Sequence, residues 1–133
     1  MKRILLAYDG GGPAKRALEV AAELAKKVDG LVSVVSVVPY HPGLAPMDQW
    51  NDDVVRAGEL DEARSLLALQ GIEADTLEPI GDPAQTIERI ARDGGYDTVV
   101  VGTRGLGALA RFFQGSVSEH VATHADVTVV VAR

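Results

Sequence analysis

The sequence predicts an α/β fold: a single, doubly wound, five-stranded parallel sheet with helices on both faces. Short β-branched strands alternate with amphipathic helices in the order β-α-β-α-β-α-β-α-β over 133 residues. This alternation is typical of a parallel sheet with both faces covered. Most of the strands are apolar on both faces, as strands buried between two helical layers are. The length suits one domain, since typical domains contain roughly 100–150 residues.

Composition and charge exclude several classes of function. The formal net charge is −6 and the isoelectric point is near 4.9, which argues against sequence-independent nucleic-acid binding because such surfaces are basic. The absence of cysteine excludes disulfides, thiolate catalysis and cysteine zinc sites. No apolar run approaches the ~20 residues of a membrane helix, and the first residues lead into a strand without a signal-peptide pattern. We therefore expect a cytoplasmic chain with no membrane or nucleic-acid partner.

The first strand and the first helix are predicted between residues 3 and 28. Arg3–Tyr8 is an apolar strand, and Asp9–Pro13 is a cluster of breakers with proline in position for the first turn of a helix. That helix is predicted to run from Pro13 to Val28 and to end at Asp29-Gly30. Its predicted core face has residues at three- and four-residue steps: Ala17, Val20, Ala21, Leu24 and Val28.

A second strand and a long helix follow. Leu31–Val38 is apolar on both faces, and the proline-rich segment 39–46 predicts a surface loop. The next helix is predicted from Asp48 to Gln70, with Gly71 as its C-terminal stop. Gly58 weakens this helix by roughly 1 kcal/mol relative to alanine and allows a break or kink there. The predicted apolar face of the helix comprises Val54, Leu60, Ala63, Leu66 and Leu67.

The remaining elements complete the alternation. Ile72–Ile80 alternates apolar and acidic residues, as a half-solvated strand near a sheet edge does. Asp82–Asp93 is predicted to be a helix, and its expected buried residues are Ile87, Ile90 and Ala91. Thr98–Val101 is a buried strand, Glu119–His124 lies in a fourth helix, and Val127–Arg133 is a fifth strand too apolar for an uncovered edge. The strand order 3-2-1-4-5 places the ligand crevice outside the carboxyl ends of the first and fourth strands.

The segment after the fourth strand is the main functional candidate. Gly102 and Gly105 lack Cβ atoms, so the chain can turn sharply and a ligand can approach the backbone. Gly115 and Ser116 then open the last helix, where unpaired N–H groups and the helix dipole favour an anion. A strand, a glycine loop and a helix in this order suit a phosphate site. The alternative is a tight connection in which Ser116 is a plain N-cap.

The spacing Gly102-x2-Gly105-x9-Gly115-Ser116, with Asp9-Gly10 at the end of the first strand, resembles the universal stress protein family. The resemblance covers the whole chain, residues 1–133, and its glycine loop is similar to that of the ATP-binding branch. It implies a Rossmann-like, adenine nucleotide alpha-hydrolase-like fold and a stress-response or regulatory module that binds ATP, with or without Mg²⁺. The pair Gly11-Gly12 departs from the family, which more often has serine and a polar residue there.

The resemblance also implies which residues bind the nucleotide. Asp9 is placed to meet a hydroxyl, an adenine amine or a magnesium-bound water, and its alternative roles are to cap the first helix or to accept from loop amides. Arg104 is a candidate phosphate contact, although an arginine in a turn is usually solvated. The expected adenine contacts are Ala7, Asp9 and Val37, and the expected phosphate and ribose contacts are Gly102, Gly105, Gly115, Ser116, Val117 and Ser118.

Other catalytic and binding motifs fail on spacing. Gly10-Gly11-Gly12 lacks the third glycine of a dinucleotide fingerprint, and Lys15 does not stand in the Gly-Lys-Ser/Thr context of a P-loop. Ser116 is not in a G-x-S-x-G elbow, so hydrolase chemistry has no support. His120 and His124 stand one helical turn apart, but they lack a third metal ligand.

Three classes of function stay open: an ATP-binding stress or regulatory module, a slow ATPase, and a nucleotide-free dimeric interaction protein. The first is favoured, because Asp9 is the only candidate base and fast hydrolysis is not expected. The apolar fifth strand predicts a homodimer in which this strand pairs antiparallel with its copy, and the resemblance implies the same pairing. A regulatory module also implies a protein partner, whose identity the sequence does not specify.

Overall fold

The computed structural model describes residues 2–39, 46–102 and 127–132. Within these ranges the strands are β1 (Arg3–Ala7), β2 (Leu31–Val35), β3 (Val38–Pro39), β4 (Ala74–Leu77), β5 (Ile80–Gly81), β6 (Thr98–Gly102) and β7 (Thr128–Ala132). The helices are α1 (Gly12–Val28), α2 (Pro46–Leu69) and α3 (Pro83–Asp93). The predicted helix around Glu119–His124 lies outside the described residues. No helix in the described part of the chain is both long and apolar enough to cross a membrane.

Five strands form one sheet in the order β4-β2-β1-β6-β7, and every neighbouring pair is parallel. Counted along the chain, the strands of this sheet have the order 3-2-1-4-5. The predicted α/β fold with a five-stranded parallel sheet is therefore confirmed. β3 and β5 form a separate two-stranded parallel sheet that was not predicted.

Helices cover both faces of the large sheet. On one face, α1 and α2 pack over strand residues that include Leu6, Val34 and Val100, all of them fully buried. On the other face, α3 places Ile87 and Ala91 over the strand residues that point the opposite way. Successive side chains of a strand point to opposite faces. This arrangement explains why β1, β2 and β6 are apolar at nearly every position.

α1 lies against the sheet mainly through alanines. Val20 and Leu24 are only partly buried, and Val28 is 43% exposed. The prediction that Val28 belongs to the core is therefore wrong, because it lies in the final turn, beside the reversal at Asp29, where φ is 53°. The buried residues of α1 are Ala14, Ala17, Leu18, Ala21, Ala22 and Ala25.

α2 begins at Pro46 and continues through Gly58 to Leu69, so the break that this glycine would allow does not occur. Val54 is 50% exposed, and its predicted place in the apolar face is wrong. The two residues Val54 and Leu60 are separated by about 120° around the helix axis at 3.6 residues per turn, which explains the exposure. The rest of the predicted face is buried or packed against the core: Leu60, Ala63, Leu66 and Leu67.

The second predicted strand is interrupted near its end. β2 stops at Val35, after which the Ser36 N–H donates to the Leu77 carbonyl at 3.0 Å and the Val38 N–H donates to the Pro79 carbonyl at 2.8 Å. The chain thus keeps bonding to the segment that follows β4. β3 includes Pro39, which was predicted to lie in the surface loop, and a proline is tolerated in a strand at a sheet edge.

α3 begins where the sequence predicts. The Asp82 carboxylate accepts a hydrogen bond from the Gln85 N–H at 3.0 Å, and Pro83 occupies the first turn. Ile87 and Ala91 are buried and Ile90 is partly buried against the same cluster, which confirms the predicted face.

Gly58 gives a direct test of α2. It is exposed, and an added Cβ would meet no atom of the described residues within 4 Å. Gly58→Ala is therefore expected to raise the free energy of unfolding by about 0.5–1 kcal/mol, because alanine loses less backbone entropy in a helix. Urea denaturation measures this difference, and an unchanged or lower stability would contradict an ordinary helix at this position.

Candidate functional site

The carboxyl ends of β1 and β6 lie side by side at one end of the sheet. β1 is the central strand and pairs with β2 on one side and with β6 on the other, with Leu6 opposite Val100. The order of the strands reverses here, and in open α/β sheets ligands bind in the crevice outside the carboxyl ends at such a point. Asp9 follows β1 and Gly102 ends β6, so both stand at this crevice.

Asp9 holds the loop that follows β1. Its Oδ1 accepts a hydrogen bond from the Gly11 N–H at 3.0 Å. Gly10 has a φ of 80°, a left-handed conformation that favours glycine. The N-cap of α1 is Gly11, which has no side-chain cap bond. Of the alternative roles predicted for Asp9, acceptance from a loop amide is therefore observed and capping of α1 is not.

Gly102 is required by packing against the first turn of α1. An added Cβ would lie 2.5 Å from both the carbonyl carbon and the carbonyl oxygen of Pro13, and 3.0 Å from the Ala14 nitrogen. These distances are far below van der Waals contact, so any side chain would push α1 away from β6. The sequence explained this glycine by the approach of a ligand, whereas the structure explains it by the approach of a helix.

Ala7 and Val37 belong to the apolar cluster on the α3 face of the sheet. Ala7 is the last residue of β1 and is partly buried, and Val37 lies just beyond β2 with 8% of its surface exposed. Both lie at the carboxyl ends of neighbouring parallel strands. Four predicted site residues thus share one end of the sheet: Ala7, Asp9, Val37 and Gly102.

The other predicted site residues lie outside the described residues. They belong to the predicted glycine loop and to the predicted start of the last helix: Arg104, Gly105, Gly115, Ser116, Val117 and Ser118. The histidine pair weighed as a metal site, His120 and His124, also lies outside. Within the described ranges no three His, Asp or Glu side chains converge as metal ligands.

Five polar side chains between α2 and the ends of β1 and β2 were not predicted as part of the site. We call them the α2 cluster: Tyr8, Ser36, Arg56, Glu59 and Glu62. The Tyr8 hydroxyl donates to Glu62 Oε1, and the Ser36 hydroxyl donates to Glu59 Oε2 at 3.1 Å. Arg56 Nη2 lies 3.1 Å from Glu59 Oε1. The cluster therefore ties α2 to the ends of both strands.

One sequence signal could have revealed the α2 cluster. Arg56 precedes the buried Leu60 by four residues, so helical periodicity places it on the core-facing side of α2. A charged residue on that side needs a partner, and Glu59 is close enough in sequence to supply it. Tyr8 gave no such signal, because an aromatic residue at the end of a buried strand is ordinary core material.

Tyr8 is a buried donor. Only 2% of the residue is exposed. Burial, followed by the hydrogen bond to Glu62, raises the pKa of Tyr8 above its usual range. The hydroxyl therefore stays protonated and donates to the carboxylate of Glu62.

Glu59 is a partly desolvated acid. Burial raises the pKa of Glu59 above its ordinary value of 4.5, and the negative charges of Asp9 and Glu62 raise it further. The positive charge of Arg56 and the hydrogen bond from Ser36 act in the opposite direction. Arg56 and Ser36 thus stabilise the ionised form of Glu59, whereas burial and the neighbouring acids destabilise it.

The family of this chain follows from comparison with known proteins. The model of the universal stress protein family matches residues 1–133, the whole chain. The chain belongs to the universal stress protein family. A universal stress protein of Thermus aquaticus is 36% identical over 135 residues, which cover 99% of this chain and 98% of the relative.

Two solved structures of universal stress proteins share the fold. One, from Archaeoglobus fulgidus in complex with dAMP, gives a TM-score of 0.74 at 24% identity and covers 100% of this chain and 98% of its own. The other, from Arabidopsis thaliana with AMP bound, gives a TM-score of 0.66 at 20% identity and covers 100% of this chain and 93% of its own. The resemblance read from the glycine spacing is confirmed at the level of the family.

Gly102→Ala tests the contact between β6 and α1. The added Cβ would overlap the Pro13 backbone, and overpacking of this kind costs about 1–3 kcal/mol of unfolding free energy. Gly58→Ala is the matched control, because the same methyl group enters open space there. Denaturation of both variants should give changes of opposite sign, and a Gly102→Ala protein as stable as the original would contradict the close packing.

Proposed function

We propose that this universal stress protein binds an adenine nucleotide, with ATP as the leading candidate, and acts as a stress-response or regulatory module. The observation that carries the proposal is the arrangement at the reversal of strand order, where Asp9 and Gly102 stand at the ends of adjacent strands beside the amino terminus of α1. This is where α/β sheets bind ligands. The dAMP and AMP bound by the relatives from Archaeoglobus fulgidus and Arabidopsis thaliana support the ligand class.

In this proposal the adenine lies at the ends of β1 and β2. Ala7 and Val37 supply an apolar wall, with Val37 acting through its backbone as well, and Asp9 meets a hydroxyl, the adenine amine or a magnesium-bound water. A largely apolar wall with a few placed polar groups is the usual composition of a small-molecule site. The residues fit, since the hydrogen bond from Gly11 already orients the Asp9 carboxylate.

The phosphates and the ribose are assigned to the chain that follows β6. Gly105 lacks a Cβ and would allow a ligand to approach backbone N–H groups, and the predicted helix that Ser116 opens would favour an anion at its amino terminus. Phosphate binding then needs no P-loop lysine. The proposed contacts are Gly102, Arg104, Gly105, Gly115, Ser116, Val117 and Ser118.

We expect binding and regulation with at most slow hydrolysis. The candidate base is Asp9, and its Oδ1 is already engaged by the Gly11 N–H at 3.0 Å. Accumulation of ADP on incubation with ATP would favour the slow ATPase. Failure to bind any adenine nucleotide would favour the nucleotide-free dimeric interaction protein.

Gly105→Val tests the phosphate assignment. A branched side chain at this glycine is expected to block backbone approach and to abolish ATP binding, while the fold measured by circular dichroism is retained. Titration calorimetry measures the affinity, with Gly58→Ala as a control that leaves binding unchanged. A folded Gly105→Val protein that binds ATP as tightly as the original would refute the assignment.

We also propose a homodimer formed through β7. β7 is the terminal strand of the sheet order, and Val129 is 40% exposed. An exposed apolar edge strand is a template for pairing with another chain. A two-fold axis would set β7 antiparallel to its copy, satisfying backbone groups of both chains and covering the valines.

Sedimentation tests the proposed dimer. The original chain should sediment as a dimer at micromolar concentration, and Val129→Lys should weaken association because a charge on the edge opposes pairing. Val54→Lys is the control, since Val54 is similarly exposed, at 50%, but lies on α2. A monomeric original chain, or equal weakening by both variants, would refute association through β7.

A further inference from the structure

Glu59 contacts the chain at the ends of two strands. Its Oε2 accepts from the Ser36 hydroxyl just beyond β2, at 3.1 Å. Its Cγ packs against Gly10 just beyond β1, where an added Cβ would lie 3.3 Å away. A single side chain of α2 therefore touches both strand ends between which the adenine is proposed to lie.

The Glu59 carboxylate also holds Arg56 in place. Arg56 Nη2 lies 3.1 Å from Oε1, and the two side chains are 25% and 15% exposed. Arg56 Nε is buried and has no hydrogen-bond partner in the described part of the chain. The position of Arg56 in the α2 cluster therefore depends on its pairing with Glu59.

The charged and titratable groups that act on Glu59 lie at the end of β1 and on α2, whereas the group beyond β2 is the uncharged Ser36 hydroxyl. Asp9 and Tyr8 approach from the end of β1, and Arg56 and Glu62 approach from α2. Three of these five groups, counting Glu59, are acids, so the ionised form of Glu59 is costly in the folded chain. An acid kept at a cost to stability is typical of a functional position.

We propose that Glu59, in its ionised form, is a positioning residue for the nucleotide site that ties α2 to the ends of β1 and β2 and so fixes the spacing in which the adenine is held. This rests on the proposed nucleotide function. Glu59 acts through Ser36 and through the loop at Gly10, and no contact with the nucleotide is required of it.

The proposal separates the effect of Glu59 on binding from its effect on stability. The pKa of Glu59 is raised in the folded chain, so its contribution to stability is fully present below the ordinary pKa of 4.5 and is lost as the pH rises through the folded pKa. Glu59→Gln, which mimics the protonated acid, should therefore be at least as stable as the original at neutral pH. It should nevertheless bind nucleotide more weakly there.

The experiment measures AMP affinity by calorimetry, and thermal unfolding, from pH 4.5 to neutrality. The AMP phosphate titrates equally in every sample, so its effect cancels in the ratio of original to variant affinity. The ratio therefore reports only the titration of the protein. Glu59→Gln should bind AMP about tenfold more weakly at neutral pH, the scale of a lost charge-assisted bond, and the ratio should fall towards one as the pH falls. The matched control is Asp61→Asn, an exposed acid of the same helix, which should leave affinity unchanged at every pH.

Arg56→Gln is the second variant. Removing the cation raises the pKa of Glu59 further, because Arg56 is the main group that lowers it. The midpoint of the pH dependence should therefore move to higher pH, a shift that a purely structural role would not produce. This variant decides the question if Glu59→Gln does not fold, and an unshifted midpoint would overturn the proposal.

The outcomes distinguish this inference from the function on which it rests. If the original chain binds neither AMP nor ATP, the nucleotide function fails and the inference fails with it. If the original chain binds AMP and Glu59→Gln binds it equally at every pH, the inference alone is overturned. A Glu59→Gln protein that loses affinity and stability together would also overturn it, because Glu59 would then be an ordinary structural residue.

Discussion

The backbone of α1 packs directly on the carboxyl end of β6, and the geometry of the candidate site depends on this contact. At Gly102 there is no room for even a Cβ, since it would lie 2.5 Å from the Pro13 carbonyl group. The chain must therefore pass from the end of β1 to the start of α1 over a short loop. Gly10 makes this turn with a φ of 80°, and the Asp9 carboxylate supports it through the Gly11 N–H. The amino terminus of α1, with its positive dipole end, is thereby held beside the crevice between β1 and β6.

The electrostatic potential differs between the two sides of this crevice. The amino terminus of α1 favours an anion, whereas Asp9 and the acids of the α2 cluster supply negative charge on the side of β1 and β2. Arg56 offsets part of that charge through its pairing with Glu59, and Lys15 lies 3.8 Å from Glu62 Oε1. A nucleotide, with an uncharged base at one end and phosphates at the other, suits a site polarised in this way.

Much of the fold could be predicted from the sequence because its signals are local. The alternation of the five sheet strands with α1, α2 and α3, the end of α2 before Gly71 and the start of α3 at Asp82-Pro83 each depend on residues close in sequence, and the structure confirms them. The errors concern tertiary packing. Val28 and Val54 are apolar and near the right spacing, but the turn at which α1 leaves the sheet and the rotation of α2 leave them exposed.

In the candidate site, too, the features set by strand order were predicted and those set by tertiary packing were not. The strand ends placed Asp9 and Gly102 correctly, since topology alone brings them to one end of the sheet. The reason for Gly102 was not predictable, because the clash involves Pro13, which is distant in sequence. The α2 cluster was missed for a similar reason: Ser36 and Glu59 are separated along the chain and meet only when α2 folds over the strand ends.

The proposed adenine-nucleotide site lies at the carboxyl ends of β1, β2 and β6. Amide NMR spectra recorded during titration with AMP test it most directly, because they report the location of binding as well as its existence. We expect shifts for the amides of Ala7, Asp9, Val37 and Gly102, with little change for Arg3, Leu31 and Thr98 at the opposite end of the sheet. An absence of shifts, or shifts concentrated at that opposite end, would contradict it.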